Sequence, residues 1–123
     1  MPKEILVIDD SPVVLKQLRD AVRGAGHRVV GVLNGKSGLT TAQAYKYDLI
    51  FTDINMPGMN GLELIRELRK LPNYNKTPII VLSTESNQEM LAEGKKLNVL
   101  AWMVKPFNAD AVQAALGSIL DPD

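Results

Sequence analysis

The sequence predicts a doubly wound α/β domain: a five-stranded parallel sheet with five helices distributed over its two faces. Three features lead there. Apolar runs of strand length recur at positions 4–8, 28–33, 48–52, 78–82 and 99–104, with helical patterns between them. The first and third contain Ile5-Leu6-Val7-Ile8 and Leu49-Ile50-Phe51-Thr52, which are continuous rather than alternating, as in strands buried on both faces. Asp9 and Asp10, Asp53, Ser83 and Lys105 all stand at the carboxyl ends of such runs. Strand–helix alternation specifies a parallel sheet with right-handed crossovers. Ligands of such sheets bind beyond the carboxyl ends of the strands, where the strand order reverses. An order of 2-1-3-4-5 gathers the ends of strands one, three, four and five around one crevice.

The helices follow from spacing and caps. In the first, Val14, Leu15, Leu18, Ala21, Val22 and Ala25 recur at helical intervals. Ser11 caps its start and Pro12 suits the first turn, where the missing N–H costs nothing. Gly24 and Gly26 end it. The second helix, over 36–45, has the weakest pattern, being rich in Ala, Thr and Gly. Leu62, Ile65 and Leu68 form the buried stripe of the third. The fourth opens with Ser86-Asn87-Gln88-Glu89, which fits a capping box. The fifth, Ala109–Leu120, takes Asn108 as cap and buries Val112, Ala115, Leu116 and Ile119, with Gly117 weakening it.

Composition narrows the chemistry. The chain's 123 residues suit one domain with one sizeable core, so the expected unit is a single domain over 1–123 with no output domain. Lys plus Arg and Asp plus Glu balance at 14 each, leaving no net field that would favour nucleic acid or a membrane surface. The absence of cysteine rules out disulfides, thiolate metal sites and a cysteine nucleophile. Met1-Pro2-Lys3-Glu4 runs into the first strand without a leader pattern, and a cytoplasmic location is expected. His27, the one histidine, reads as a surface turn residue before the second strand.

Asp9, Asp10 and Asp53 concentrate three carboxylates at one edge. Like charges there raise one another's pKa unless a cation is present, and oxygen donors at this density suit a hard divalent ion, Mg2+ before Ca2+. Asp53 precedes Ile54-Asn55-Met56-Pro57-Gly58-Met59-Asn60-Gly61, a loop able to turn backbone carbonyls toward an ion. A carboxylate so placed is a candidate nucleophile toward phosphorus. Lys105 is a point-charge partner for phosphate, and Lys105-Pro106 is a candidate cis bond. Ser83 offers a hydroxyl from the end of the fourth strand.

Asp9-Asp10-Ser11, the segment from Asp53 to Gly61, Ser83 after a strand and Lys105-Pro106-Phe107 together resemble a response-regulator receiver domain. The resemblance covers the whole chain in order and is nearest to the stand-alone chemotaxis type. It implies the flavodoxin-like fold, whose 2-1-3-4-5 order is already known for those regulators. It further implies that Asp53 accepts a phosphoryl group from a chemotaxis-type histidine kinase or a small acyl phosphate. Asp10, Asp53 and the Asn55 carbonyl would bind Mg2+ directly, with Asp9 acting through water. Ser83 and Lys105 would hold the phosphoryl oxygens, with Pro106 in the turn that follows. Trp102 would be the strand-five aromatic that moves inward as the hydroxyl moves toward phosphate. Asn55 and Glu85 would modulate the rate of dephosphorylation.

The implied output is a target-binding surface on helix four, strand five and helix five, with the flagellar motor switch as the expected target. A phosphatase is a further implied partner, the protein is expected to be a monomer, and it is not a dedicated turnover enzyme. A phosphate sink or a regulator of another target are the alternatives within this class. An aspartyl-phosphate phosphatase of the haloacid dehalogenase type would place its nucleophile on the first strand, with a second Asp two positions on. Here Asp53 belongs to the third strand and Asn55 follows it. A flavodoxin-like electron carrier would meet repulsion between Asp9-Asp10 and a flavin phosphate. The chain departs from the family pattern in Ser83 for threonine, Thr84 for a small residue, Trp102 for Tyr or Phe, and a glycine-free Asn98-Val99-Leu100-Ala101. These departures bear on rates and on the partner surface, not on the acidic residues.

Overall fold

A computed structural model describes residues 2–84 and 87–120. Its elements run β1 (Glu4–Ile8), α1 (Pro12–Gly24), β2 (Arg28–Val32), α2 (Gly35–Ala44), β3 (Leu49–Asp53), α3 (Gly61–Arg69), a 3-10 turn (Pro72–Tyr74), β4 (Ile79–Ser83), α4 (Gln88–Lys96), β5 (Ala101–Val104) and α5 (Ala109–Leu120). The strands form one sheet in the order β2-β1-β3-β4-β5, every neighbouring pair parallel. The expected doubly wound, flavodoxin-like fold is therefore the fold observed.

Alternation of side chains along the central strands divides the core into two layers. Leu6, Ile8, Ile50, Ile79 and Val81 face one layer, closed by Leu64, Ile65 and Leu68 of α3. Ile5, Val7, Phe51, Ile80 and Leu82 face the other, closed by Leu18 and Val22 of α1 and Val112 and Leu116 of α5. All five residues of β3 and all five of β4 are buried, which is why those runs are continuously apolar. Edge strands β2 and β5 are only partly covered.

Element ends differ from expectation for local reasons. β3 and β4 each extend one residue further, because Asp53 pairs with Leu82 and Ser83 with Val104 in the ladder. The fifth strand starts at Ala101 rather than 99, since the residues before it close α4. Val99 N–H donates to Gly94 O at 2.9 Å and Asn98 N–H to Lys95 O at 3.1 Å, with Asn98 at φ +57°: a Schellman closure with Asn in place of glycine. α2 begins at Gly35, one residue early, because the Asn34 side chain accepts the Ser37 N–H at 2.7 Å. The capping box expected at Ser86 falls partly outside the described residues, and α4 is capped by Asn87, which accepts the Met90 N–H at 2.8 Å. A reciprocal capping box does occur at α3, between Asn60 and Glu63. Ser11 and Asn108 cap α1 and α5 as expected. His27 is half-buried, and its Nδ1 accepts the Lys3 N–H at 3.0 Å, so it ties the strand ends together rather than standing free in a turn.

Two long side chains organise the end of the sheet opposite Asp53. The Tyr74 hydroxyl, fully buried, accepts the Tyr47 N–H at 3.2 Å and lies 2.7 and 2.6 Å from the carbonyl oxygens of Ala42 and Tyr45. Lys46 Nζ covers the Tyr74 ring at 4.5 Å. Arg69, from the last turn of α3, donates to the carbonyls of Leu97 and Asn98 after α4 and to those of Tyr74 and Thr77 before β4. Tyr74→Phe leaves the Tyr47 N–H and its neighbouring carbonyls short of a buried partner, and is expected to cost about 1–3 kcal/mol. Urea unfolding checks this; a loss under ~0.5 kcal/mol would remove the hydroxyl from the account of stability.

Candidate functional site

The carboxyl ends of β1 and β3 lie side by side, with Ile8 paired to Thr52. One oxygen from each of Asp9, Asp10 and Asp53 falls within a group whose atoms all lie within 4.8 Å of one another. Asp9 is 0% exposed and Asp53 5%, whereas Asp10 faces solvent. Asp9 Oδ1 accepts the Ser11 N–H at 2.9 Å, so the residue that caps α1 also orients the acid before it. Asp53 Oδ1 accepts the Ile54 N–H at 2.9 Å.

Lys105 arrives from the far edge. Its N–H donates to Ser83 O at 2.9 Å, prolonging the β4–β5 ladder, and the Lys105–Pro106 bond is cis. The half-buried ammonium lies 2.7 Å from Asp9 Oδ2 and 3.4 Å from Asp53 Oδ1. Among the described residues, the buried Asp9 Oδ2 has the Lys105 ammonium as its ion-pair partner and no further donor. Ser83, 1% exposed, ends the strand between Asp53 and Lys105, and Thr84 beyond it is exposed.

The β3–α3 loop is shaped by its glycines. A Cβ at Gly61 would overlap the Asp53 carbonyl oxygen, and Gly61 N–H donates to Ile54 O at 2.9 Å. Gly58 has φ +77°. A Cβ at Gly35 would approach Met59 O to 2.7 Å, so the loop rests directly on the start of α2. That brace was not part of the sequence expectation; its signal is the glycine beside the Asn34 cap.

The expected site residues thus divide. Asp9, Asp10, Asp53 and Lys105 converge, and Ser83 borders them on β4. Asn55 is exposed in the loop after Asp53, and Pro106 follows Lys105. Trp102 stands apart from the acids: it pairs with Val81 and packs half-buried on the α3-side core layer. Glu85 lies outside the described residues.

Charge in the cluster is unbalanced, with one ammonium among three carboxylates. Burial, reinforced by the charge of Asp9, holds the Asp53 carboxyl above its ordinary value, against the opposing pull of Lys105 and the Ile54 N–H. For Lys105, burial acts to lower the pKa, but the contact with Asp9 and the charges of Asp9 and Asp53 prevail and raise it, so the ammonium stays charged at neutral pH. A surplus of negative charge and an all-oxygen donor set, three carboxylates against one ammonium, fit a hard divalent cation such as Mg2+.

Comparison with known proteins agrees. The family model described as the response regulator receiver domain matches residues 5–117. The chain belongs to the response-regulator receiver family. It is 35% identical over 120 residues to the chemotaxis protein CheY of Thermotoga maritima, spanning 97% of this chain and 98% of that one. It is 29% identical to protein PilH of Pseudomonas aeruginosa, over 94% of this chain and 96% of PilH. The solved structure of Vibrio cholerae CheY4 superposes with a TM-score of 0.92 at 33% identity, covering 97% and 99% of the two chains. The receiver domain of the sensor histidine kinase PA1611 from Pseudomonas aeruginosa, described with magnesium coordinated in its active-site cleft, superposes at 0.88 with 27% identity, covering 98% and 99%. The chain is accordingly a receiver domain of two-component signalling. Among the described residues, no helix is long and apolar enough to cross a membrane.

The raised Asp53 carboxyl has a thermodynamic consequence. A carboxyl that binds its proton more tightly folded than unfolded destabilises the fold above its folded pKa, and this cost disappears as pH falls to the ordinary value of 3.8. Without divalent cations, Asp53→Asn is expected to raise Tm at neutral pH, with the gain shrinking toward pH 4. Thermal melts across pH in chelator check this; a lower Tm for the variant at neutral pH would mean that the Lys105 pairing outweighs burial. Adding Mg2+ is expected to raise the Tm of the wild type and not that of Asp10→Asn.

Proposed function

We propose that this receiver accepts a phosphoryl group on Asp53 from a histidine kinase or a small acyl phosphate, and that the phosphorylated form presents a changed α4–β5–α5 surface to a target. The observation that carries this reading is the convergence of the buried Asp53 carboxylate with Lys105 Nζ, 3.4 Å away, beside two further acids. An Asp53 carboxylate oxygen forms the new O–P bond as the bond from phosphorus to the donor's imidazole nitrogen or acyl oxygen breaks. The products are an aspartyl phosphate and the free imidazole or carboxylate. Asp10, Asp53 and the Asn55 carbonyl would hold Mg2+, with Asp9 behind them through water. When bound, the ion supplies positive charge against the transferring phosphoryl oxygens.

Lys105 donates to a phosphoryl oxygen and the Ser83 hydroxyl to another. These bonds exist only in the phosphorylated state and therefore bias a two-state element. Since Lys105 N–H is bonded to Ser83 O, both donors sit on one ladder, and Trp102 lies on the same strand. Asn55 and Glu85 influence how fast water removes the phosphoryl group. The proposed target is the flagellar motor switch, supported by the similarity to chemotaxis proteins. The comparable similarity to PilH supports a second reading, regulation of a different target.

Labelling with a radioactive acyl phosphate is expected to mark the wild type and leave Asp53→Asn at background; full labelling of the variant would overturn the assignment. Lys105→Ala is expected to accept label while losing its phosphorylation-dependent response to the target. Capture from cell extract with Mg2+ and beryllofluoride separates the targets. Mimic-dependent enrichment of a motor switch component supports the first reading, and mimic-dependent enrichment of another protein supports the second.

A further inference from the structure

α4 carries a glycine where a helix interior is weakened by one. Gly94 is buried at the middle of the last two turns, and an exposed-helix argument gives no reason for it. The reason lies across on β5. A Cβ built on Gly94 would come within 3.0 Å of Cζ3 of the Trp102 indole and 3.6 Å of Cε3, with Val99 Cγ2 at 3.7 Å. The ring therefore rests against the bare backbone of α4, where a methyl group at position 94 would press the indole back by a few tenths of an ångström.

The seat is also stiff. Glu93 beside it is paired with Arg66 of α3. Arg69 donates to Leu97 O at 2.8 Å and Asn98 O at 3.0 Å, and the Schellman closure uses the Gly94 carbonyl itself. The C-terminal half of α4 is thus fastened to α3 and to its own cap, so a methyl group at position 94 is relieved by moving the indole, not the helix.

We propose that Gly94 is a positioning residue: it forms the seat that admits Trp102, and so sets the balance between the seated and displaced positions of the ring on β5. Trp102 pairs with Val81, two positions before the Ser83–Val104 pair and three residues before Lys105. The ring and the groups proposed to hold phosphate therefore belong to one short strand pair. The link to signalling rests on the receiver function proposed above, with the seat taken as the inward position that the family resemblance implies for Trp102; the seat itself does not.

Two measurements test this separately. In ordinary helix interiors Gly→Ala is stabilising. Here Gly94→Ala is expected to lower Tm by about 3 °C or more, and to shift the emission of Trp102, the single tryptophan. Trp102→Phe removes the indole atoms that meet the new methyl, so Gly94→Ala in that background is expected to raise Tm. The reversal of sign is the signature of the seat. An equal rise in both backgrounds would overturn it, leaving helix propensity alone.

The second measurement titrates beryllofluoride with Mg2+ and reads Trp102 emission. Gly94→Ala is expected to raise the concentration for half response about fivefold, while the Tm gain from Mg2+ alone stays at the wild-type value. An unchanged half-response concentration would overturn the coupling. No response in the wild type would instead count against the receiver function of Asp53, and leaves the Tm reversal to decide the seat.

Discussion

Asp9 and Asp53 sit buried beside each other at the end of a parallel sheet, and most of the architecture around them serves to tolerate that repulsion. An isolated buried carboxylate is costly, and a second one nearby compounds the cost. Neutralisation comes from the opposite side of the crevice, where the β4–β5 ladder delivers Lys105 to within 2.7 Å of Asp9. Backbone donors do the rest: Ser11 N–H for Asp9 and Ile54 N–H for Asp53. Each comes from the residue or two immediately after the acid, so the loops are constrained by the charges they solvate. Three carboxylates still outnumber one ammonium, and that residue of negative charge is what makes the site receptive to a divalent cation.

How much of this was legible in the chain depends on which force wrote it. β1, β3 and β4 are buried on both faces, so their apolar runs are unbroken and their existence could be read directly, whereas the order in which they pair came with the family resemblance. Asp9, Asp10, Asp53 and Lys105 could be placed because a parallel sheet puts every strand's carboxyl end on one side. What could not be read is set by hydrogen bonds between distant segments. Nothing in 99–100 announces that Val99 closes α4 instead of starting β5. Arg69 looks like one more exposed cation in the last turn of a helix, yet it serves four carbonyls in two other segments. His27 likewise acquires its partner only when β1 and β2 pair.

α4 shows the two kinds of information meeting. Its cap, Asn87, and its closure at Asn98 are local and follow ordinary rules. Its attachment is not local: Arg66 and Arg69 reach it from α3, and Trp102 rests against it from β5. All of these contacts fall on its second half. A helix held in this way has one end defined by the body of the domain and the other joined to β4 just beyond Ser83.

The two asparagine caps followed by glycine, Asn34-Gly35 and Asn60-Gly61, have a bearing on the chemical lifetime of the protein. Asn-Gly is the dipeptide most prone to cyclise to a succinimide and lose its amide, since the glycine nitrogen is unhindered as a nucleophile and asparagine is among the thermally labile residues. In the folded chain both asparagine side chains are engaged as caps, and the Gly61 nitrogen is committed to Ile54 O. Each step is thus shielded by the helix it starts. Ageing of this protein should therefore track its excursions out of the folded state. Conversion at Asn60 would place a new negative charge, or a kinked isopeptide backbone, at the foot of the loop that holds Asp53.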